Sequence, residues 1–229
     1  MRLDAAIADL SSRLAPLSET ARLDAQVLLA HILQKPRTWV LAHPEVELTA
    51  AQQNELEQNT ARRQKGEPLP YILGHWEFYG LDFLVSPAVL IPRPETELLV
   101  EHALEWLRNH PGCRKLADIG TGSGCIAIVL AANLPGAQVS ASDISLQALE
   151  VAPRNAAIHR VTQRINFVQA DLLNMPEDHC AMPFDLIAAN LPYIPRETLL
   201  NLPVYHTEPT VALDGGEDGL ELIRRLLEH

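Results

Sequence analysis

The chain has 229 residues, enough for one large domain or for a small domain joined to a medium one. Hydrophobic residues make up 47% of it and charged residues 21%, a composition that excludes disordered and fibrous classes. The formal net charge of −11 disfavours broad contact with phosphate backbones, because such binding needs a cationic surface. We therefore expect a folded protein that is better suited to a basic protein partner than to a nucleic acid.

Features of location and redox state point to the cytoplasm. Every apolar run is shorter than the roughly 18 residues that suggest a membrane span, and the N-terminus lacks the apolar core of a signal peptide. Cys113, Cys125 and Cys180 are an odd number of widely spaced thiols without a C-x-x-C pair. This pattern suits a reducing compartment, gives each thiol a structural role and predicts no metal site.

Amphipathic helices are predicted over the first part of the chain. Apolar residues recur at three- and four-residue spacing over residues 3–14 and again over residues 25–32. A further helix is expected to begin at Thr49, where Gln52 completes the spacing of a capping box. We assign residues 1–73 to a helical domain.

A hairpin and a longer helix are predicted next. Aromatic and β-branched residues surround Gly80 over residues 76–85, and several prolines follow. We assign residues 74–92 to a hairpin linker. A helix is expected over residues 95–107, with acidic residues near its N-terminus and leucines along one face.

From residue 115 onward, short apolar runs alternate with helical stretches, which is typical of βαβ units and a parallel sheet. We assign residues 93–229 to this α/β domain. A sheet ending with the helical segment at residues 220–227 would expose an edge and one face, so we expect C-terminal truncation. The predicted strands are residues 115–119, 138–142, 165–169 and 184–189, and the helices between them are residues 125–133 and 146–158.

A glycine-rich loop, D-I-G-T-G-S-G, joins the first of these strands to its helix. Its glycines allow a tight turn and a close approach of the backbone to a ligand. The G-x-G-x-G spacing differs from the dinucleotide fingerprint, and Asp118 beneath the loop can orient it and attract an ammonium group. S-adenosylmethionine carries such a group and is the predicted cofactor. The loop residues assigned to it are Gly120, Thr121, Gly122, Ser123 and Gly124.

Carboxylates end the next two strands. Asp143 is placed to accept the hydroxyls of a ribose. Asp171, with Leu172 beside it, is assigned to the adenine amino group. Helix capping or simple solvation of these aspartates is the alternative, and it stays open most of all for Asp171.

The fourth strand is followed at once by Asn190, Leu191, Pro192 and Tyr193. An amide nitrogen is a poor nucleophile because its lone pair is delocalised, so acceptors must hold its N–H bonds. The side-chain oxygen of Asn190 and the carbonyl of Leu191 can accept them, while Tyr193 can cover the flat face. We predict Asn190 and Tyr193 as catalytic, residues 190–193 as substrate-binding and Asn190 also as a cofactor contact. An ordinary Asn-Pro turn is the alternative.

These motifs, together with G-E-P-L-P-Y-I-L-G and I-P-R-P-E-T-E, resemble the HemK/PrmC family of release factor glutamine N5-methyltransferases. The resemblance implies a helical substrate-recognition domain, a β-hairpin connector and a seven-stranded, Rossmann-like class I methyltransferase sheet. It implies that the substrate is the glutamine of the Gly-Gly-Gln loop in peptide chain release factors. It also implies cofactor contacts for residues 120–124, Asp143 and Asn190 and a substrate clamp at residues 190–193. The family usually has N-P-P-Y, and Leu191 replaces its first proline here.

Two other functions stay open. N-L-P-Y also resembles ribosomal-RNA adenine dimethyltransferases, so methylation of adenine N6 in RNA or DNA is one alternative. A truncated chain that binds the cofactor or a partner without turnover is the other. We expect a monomer that does not associate with membranes.

Overall fold

A computed structural model of the chain describes residues 1–176 and 183–228, and Cys180 lies outside them. The chain divides into two compact units, Met1–Gly74 and His75–His229. In the described part, no helix combines the length and apolar character needed to cross a membrane. The domain boundaries given above stay predictions.

The first unit is helical. Its elements are α1 (Leu3–Leu14), α2 (Ala21–Leu33), α3 (Arg37–Ala42), α4 (Ala50–Gln64) and α5 (Leu69–Leu73). α1 packs against α2, and the apolar residues that repeat along both, such as Leu10 and Leu29, are buried. The capping box at α4 is confirmed, because Gln52 N donates to Thr49 Oγ1 (3.3 Å) and Thr49 N donates to Gln52 Oε1 (3.0 Å).

The second unit begins with the predicted hairpin. β1 (His75–Phe78) and β2 (Leu81–Leu84) pair antiparallel around a turn at Gly80, whose φ is +73°. Phe78 and Phe83 are buried in the main hydrophobic core of this unit. The hairpin is therefore packed into the second unit.

A parallel sheet forms the centre of the second unit and confirms the predicted α/β fold class. Its strands are β3 (Lys115–Ile119), β4 (Gln138–Asp143), β5 (Ile165–Gln169) and β6 (Leu186–Ala189). They lie in the order β5-β4-β3-β6, and all neighbouring pairs are parallel. The helices are α6 (Pro94–Asn109), α7 (Cys125–Asn133), α8 (Ala148–Ile158), α9 (Arg196–Leu199) and α10 (Glu221–Leu227).

The two faces of the sheet are covered differently. Apolar residues of α6 and α7 pack with Leu116 and Val139 in the main core on one face. On the other face, Leu222, Ile223 and Leu226 of α10 pack against a smaller cluster built on β3. The expectation of one naked face is thus wrong where α10 lies, because its apolar stripe replaces contact with water.

Asn155 ties the hairpin to the glycine loop. This α8 side chain is fully buried, with 0% exposed. Its Oδ1 accepts from Leu84 N (2.8 Å), and its Nδ2 donates to Leu84 O (3.0 Å) and to Ser123 O (2.9 Å). A buried amide with all of these bonds formed fixes the relative position of the two segments.

Replacing Asn155 by Ala is expected to destabilise the second unit by about 2–4 kcal/mol, because it leaves buried backbone groups of Leu84 and Ser123 without partners. Urea unfolding followed by circular dichroism measures the change. Asn133→Ala is the control, because Asn133 is exposed and makes one bond, to Val129 O. Equal losses in the two variants would contradict the assigned role of Asn155.

Candidate functional site

The site lies at the edge of the sheet where its strand order reverses. The chain runs from β3 to β4 and β5 on one side and returns to β6 on the other side of β3. Because Ile119 pairs with Ala189, the loops that follow β3 and β6 leave the sheet side by side. Ligands bind at such switch points in open α/β sheets. The structure thus brings the glycine loop and the N-L-P-Y segment together.

The glycine loop adopts backbone conformations that only glycine takes readily. The φ angles of Gly120, Gly122 and Gly124 are +72°, +57° and +82°. A Cβ on Gly124 would lie 3.0 Å from Ile128 Cδ1 and 3.1 Å from Ala152 Cβ, so α7 and α8 leave no room there. A Cβ on Gly122 would meet no protein atom within 4 Å and would project into open space.

Asp118 lies beneath the loop, fully buried. Its Oδ2 accepts from Thr121 Oγ1 (2.7 Å) and from Ala127 N (3.0 Å), so it joins the loop to the first turn of α7. Its Oδ1 has no partner among the described residues. Burial raises the pKa of Asp118 to about 6, against the two hydrogen bonds, which lower it. Asp118 does not line the cleft above it, so its attraction for an ammonium group would act through the loop rather than by contact.

Asp143 and Asp171 have different surroundings. Asp143 accepts from Gly122 N (2.8 Å) and Ser145 N (2.9 Å), and burial is the main cause that raises its pKa. Each of its oxygens keeps a second lone pair for a ligand. Asp171 pairs with Arg225 of α10, so a ligand amino group would share this carboxylate with a guanidinium. Leu172 has a φ of +56°, and its carbonyl accepts from Ser142 Oγ (3.1 Å).

A cleft of about 310 Å³ lies over these residues. It is lined by the glycine loop, Asp143, Asp171, Leu172, Asn190 and Leu191, which were all predicted. It is also lined by Ile144 and by residues of the segment 88–96, which were not predicted. The I-P-R-P-E-T-E string within that segment was the available signal, but a motif without a known neighbour in space indicates no role.

A second cavity, of about 360 Å³, adjoins the cleft. Asn190 and Leu191 line both cavities, whereas Tyr193 lines only the second. Other residues of the second cavity are mainly apolar and include Leu99 and Val204. Asn190 therefore stands in the wall between the cleft over the glycine loop and the second cavity.

The N-L-P-Y residues expose different groups. Asn190 Nδ2 donates to Thr96 Oγ1 (3.0 Å), and this leaves its carboxamide oxygen as the available acceptor. The Leu191 side chain is only 7% exposed and packs with Ile119 and Leu172, while its carbonyl accepts no backbone bond within the described chain. Tyr193 is 62% exposed. Pro192 lines the cleft.

A second glycine-containing loop presses against this segment. A Cβ on Gly215 would lie 2.8 Å from Tyr193 Cα, and one on Gly219 would lie 2.3 Å from Tyr193 O. Ile194 N donates to Leu213 O (3.2 Å), and Gly215 N donates to Ile194 O (2.9 Å). The backbone of Tyr193 is therefore held by direct contact with another backbone. Sequence reasoning missed this contact, because L-D-G-G-E-D-G-L carries no local signal of its partner.

Comparison with known proteins matches a family model to each of the two units. A model described as the PrmC N-terminal domain matches residues 5–74, and one described as the methyltransferase small domain matches residues 94–200. A release factor glutamine methyltransferase of Koribacter versatilis is 46% identical over 207 residues, 90% of this chain and 72% of its own length. The chain belongs to the release factor glutamine methyltransferase family.

Further members of the release factor glutamine methyltransferase family are similarly identical to this chain. The Chlorobaculum tepidum enzyme is 45% identical over 199 residues, covering 84% of this chain and 68% of its own. The Coxiella burnetii enzyme is 40% identical over 227 residues, which cover 96% of this chain and 78% of that enzyme. Membership of this family and the methyltransferase domain make the chain a methyltransferase that uses S-adenosylmethionine.

Solved structures support the fold of the family. The hMettl16 catalytic domain in complex with the MAT2A 3′UTR hairpin 6 is 18% identical, with a TM-score of 0.50. The match covers 80% of this chain and 64% of that one. At this identity the likeness concerns the Rossmann-like fold alone.

Replacing Asp118 by Asn should change how stability depends on pH. The pKa of this carboxyl is raised in the folded state, so its ionisation destabilises the fold as pH rises from about 4 towards 6. The free energy of unfolding of the variant, relative to that of the parent, should therefore rise by about 3 kcal/mol between pH 4 and pH 7, as measured by urea unfolding.

Asp185→Asn is the matched control for this measurement. Asp185 is exposed, and its pKa is lowered mainly by the backbone N–H of Lys115. Its ionised form stabilises the fold, so the free energy of unfolding of Asp185→Asn, relative to that of the parent, should fall as pH rises. A pH-independent difference for Asp118→Asn would show that its carboxyl titrates normally.

Replacing Gly215 by Ala should displace the backbone of Tyr193. We expect turnover to fall at least tenfold while the dissociation constant of S-adenosylmethionine changes less than about threefold, because Gly215 does not line the cofactor cleft. Gly112→Ala is the control, since its Cβ would meet nothing within 4 Å and neither glycine has a positive φ. Parent-like turnover in Gly215→Ala would mean that the position of Tyr193 does not depend on this contact.

Proposed function

We propose that this protein transfers the methyl group of S-adenosylmethionine to the side-chain amide N5 of the glutamine in the Gly-Gly-Gln loop of peptide chain release factors. Relatives that are 40–46% identical over most of the chain are named for methylation of release factor glutamine. We further propose that the protein acts in the cytoplasm as a monomer. The observation that carries the chemistry is the free carboxamide oxygen of Asn190 between the two cavities.

The residues of the cleft fit S-adenosylmethionine. The open space in front of Gly122 gives a ligand access to the backbone of the loop. The free lone pairs of Asp143 suit the two hydroxyls of a ribose. When bound, S-adenosylmethionine supplies a methyl group on a positively charged sulfur and is converted to S-adenosylhomocysteine. Asp143 and residues 120–124 would hold it, and Asp171 and Leu172 would border its adenine.

Asn190 and Leu191 hold the acceptor nitrogen. Asn190 Oδ1 and the carbonyl of Leu191 each have lone pairs that can accept one N–H bond of a primary amide. Two such bonds fix the plane of the amide and turn its nitrogen towards the cleft. Catalysis then depends on orientation, because an amide nitrogen attacks only along one direction.

Tyr193 covers the acceptor from the second cavity. Its exposed ring lies at the mouth of that cavity, where it can pack on the flat face of an amide and reduce contact with water. A dry environment favours attack of the nitrogen on the methyl carbon, in which the N–C bond forms as the C–S bond breaks, because water no longer hydrogen-bonds to the nitrogen lone pair.

The proton of the acceptor leaves without help from a strong base. The described lining residues of both cavities include no His and no Lys. Alkylation makes the nitrogen more acidic, so water can take the proton after the new bond forms. The site therefore accelerates transfer by positioning, which is worth several orders of magnitude when the geometry is close to productive.

Methyl transfer to a purified bacterial release factor tests the proposed function. With labelled S-adenosylmethionine, label should appear on the release factor and disappear when the glutamine of its Gly-Gly-Gln loop is replaced by Asn. Label on RNA alone would favour adenine methylation instead, although a net charge of −11 disfavours it. Cofactor binding without transfer to either substrate would favour a binding module.

Asn190→Ala is the variant that connects this test to the site. We expect turnover to fall on the order of a hundredfold or more while the dissociation constant of S-adenosylmethionine changes less than about tenfold. Equal losses of turnover and of affinity for S-adenosylmethionine would mean that Asn190 mainly binds the cofactor.

A further inference from the structure

The Asn190 carboxamide has two orientations of similar shape. Rotation by half a turn exchanges its oxygen with its NH₂ group, and only the oxygen can accept an N–H bond from a substrate. Thr96 Oγ1 accepts a hydrogen bond from Asn190 Nδ2 (3.0 Å), so the structure shows the orientation in which the oxygen is free. The hydroxyl that accepts this bond comes from α6, far from Asn190 in the sequence. A hydroxyl can also donate, and in the turned orientation it would donate to Asn190 Oδ1 and leave the NH₂ group without this acceptor.

Thr96 is itself held firmly. It is 7% exposed and lies in the first turn of α6, where its N–H donates to Arg93 O (3.0 Å). The Arg93 guanidinium pairs with the carboxylate of Glu208, which is buried. The same carboxylate accepts from Ile91 N (3.1 Å) through Oε2. An ion pair with a buried carboxylate thus fixes the start of α6, and with it the hydroxyl that faces Asn190.

We propose that Thr96 is a positioning residue that sets the Asn190 carboxamide with its oxygen towards the methyl acceptor. The proposal rests on the function proposed above, because it gives Asn190 Oδ1 the task of accepting an N–H bond. Thr96 acts through Asn190. Without the Thr96 hydroxyl, the Asn190 carboxamide can turn, and its NH₂ group would then face the N–H groups of the substrate, which it cannot accept.

Direct contact of Thr96 with a ligand is the competing explanation, because Thr96 lines both cavities. The two explanations differ in what happens once the Asn190 side chain is removed. A residue that works only by orienting Asn190 has no further effect in its absence, whereas a direct contact keeps its effect.

Nuclear magnetic resonance of the Asn190 side chain tests the orientation without any substrate. In the parent protein, one side-chain N–H of Asn190 should exchange slowly with D₂O, because it is bonded to Thr96. In Thr96→Val, which keeps the shape but lacks the oxygen, that exchange should become at least tenfold faster. In Thr96→Ser it should stay slow. Fast exchange of both protons in the parent protein would overturn the proposal even if Thr96→Val failed to fold.

Single-turnover methyl transfer to a release factor provides the second measurement. Thr96→Val should slow transfer about tenfold, the effect of losing one orienting hydrogen bond, with little change in cofactor affinity, and Thr96→Ser should restore the rate. In an Asn190→Ala background, Thr96→Val should cause no further loss. A further loss of threefold or more there would overturn the proposal in favour of direct contact.

The two measurements separate failure of this proposal from failure of the proposed function. If the parent protein methylates no release factor, the function is wrong, but the exchange experiment still reports whether Thr96 orients Asn190. If the parent methylates the release factor and Thr96→Val does so at the same rate, the function stands and the positioning role is wrong.

Discussion

Parallel pairing of β3 with β6 is the constraint on which the site depends. The register places Ile119 beside Ala189. The residues that follow them, Gly120 and Asn190, are therefore neighbours although they lie seventy residues apart in the sequence. Parallel strands point their carboxyl ends in one direction, so the glycine loop and the N-L-P-Y segment emerge at one edge. A slip by one residue would turn every β6 side chain to the opposite face.

Buried polar groups hold the loops at this edge. Asn155 and Glu208 join segments that are distant in the sequence, and Asp118 joins the glycine loop to the first turn of α7. All three side chains are almost completely removed from water. Burial of such groups lowers stability unless their partners are in place, so a displaced loop leaves an unpaired group behind. The site is therefore rigid because alternative positions of its loops are unfavourable, rather than because the loops contain regular structure.

Local patterns predicted most of the sheet and the positions of the glycine loop and the N-L-P-Y segment after its strands. The bounds of β3, β5 and α7 agree with the predicted residues, because apolar runs bounded by turn residues mark them clearly. β6 begins at Leu186, later than predicted, and the residue before it, Asp185, accepts from the backbone N–H groups of Arg114 and Lys115 through its carboxylate. The short helices α3, α5 and α9 were missed, since a turn or two of helix leaves little periodic signal.

The contacts that refine the site could not be predicted in this way. Thr96 with Asn190, Arg225 with Asp171 and Gly215 with Tyr193 all join positions that only the tertiary fold brings together. A single sequence shows which residue types are present, but the partner of a hydroxyl or a guanidinium depends on packing. The motifs indicated residues that the structure brings to one cleft, and they left the neighbours of those residues undetermined.

Leu191 links the evolution of the site to that of the core. Its carbonyl is the acceptor that we propose for a substrate N–H bond, while its side chain packs in the cluster between β3 and α10. A proline at this position would be stiffer but would fill less of that space. Substitutions in α10 can therefore displace the N-L-P-Y segment through a single side chain, and fewer substitutions in that helix should be neutral than its partial exposure suggests.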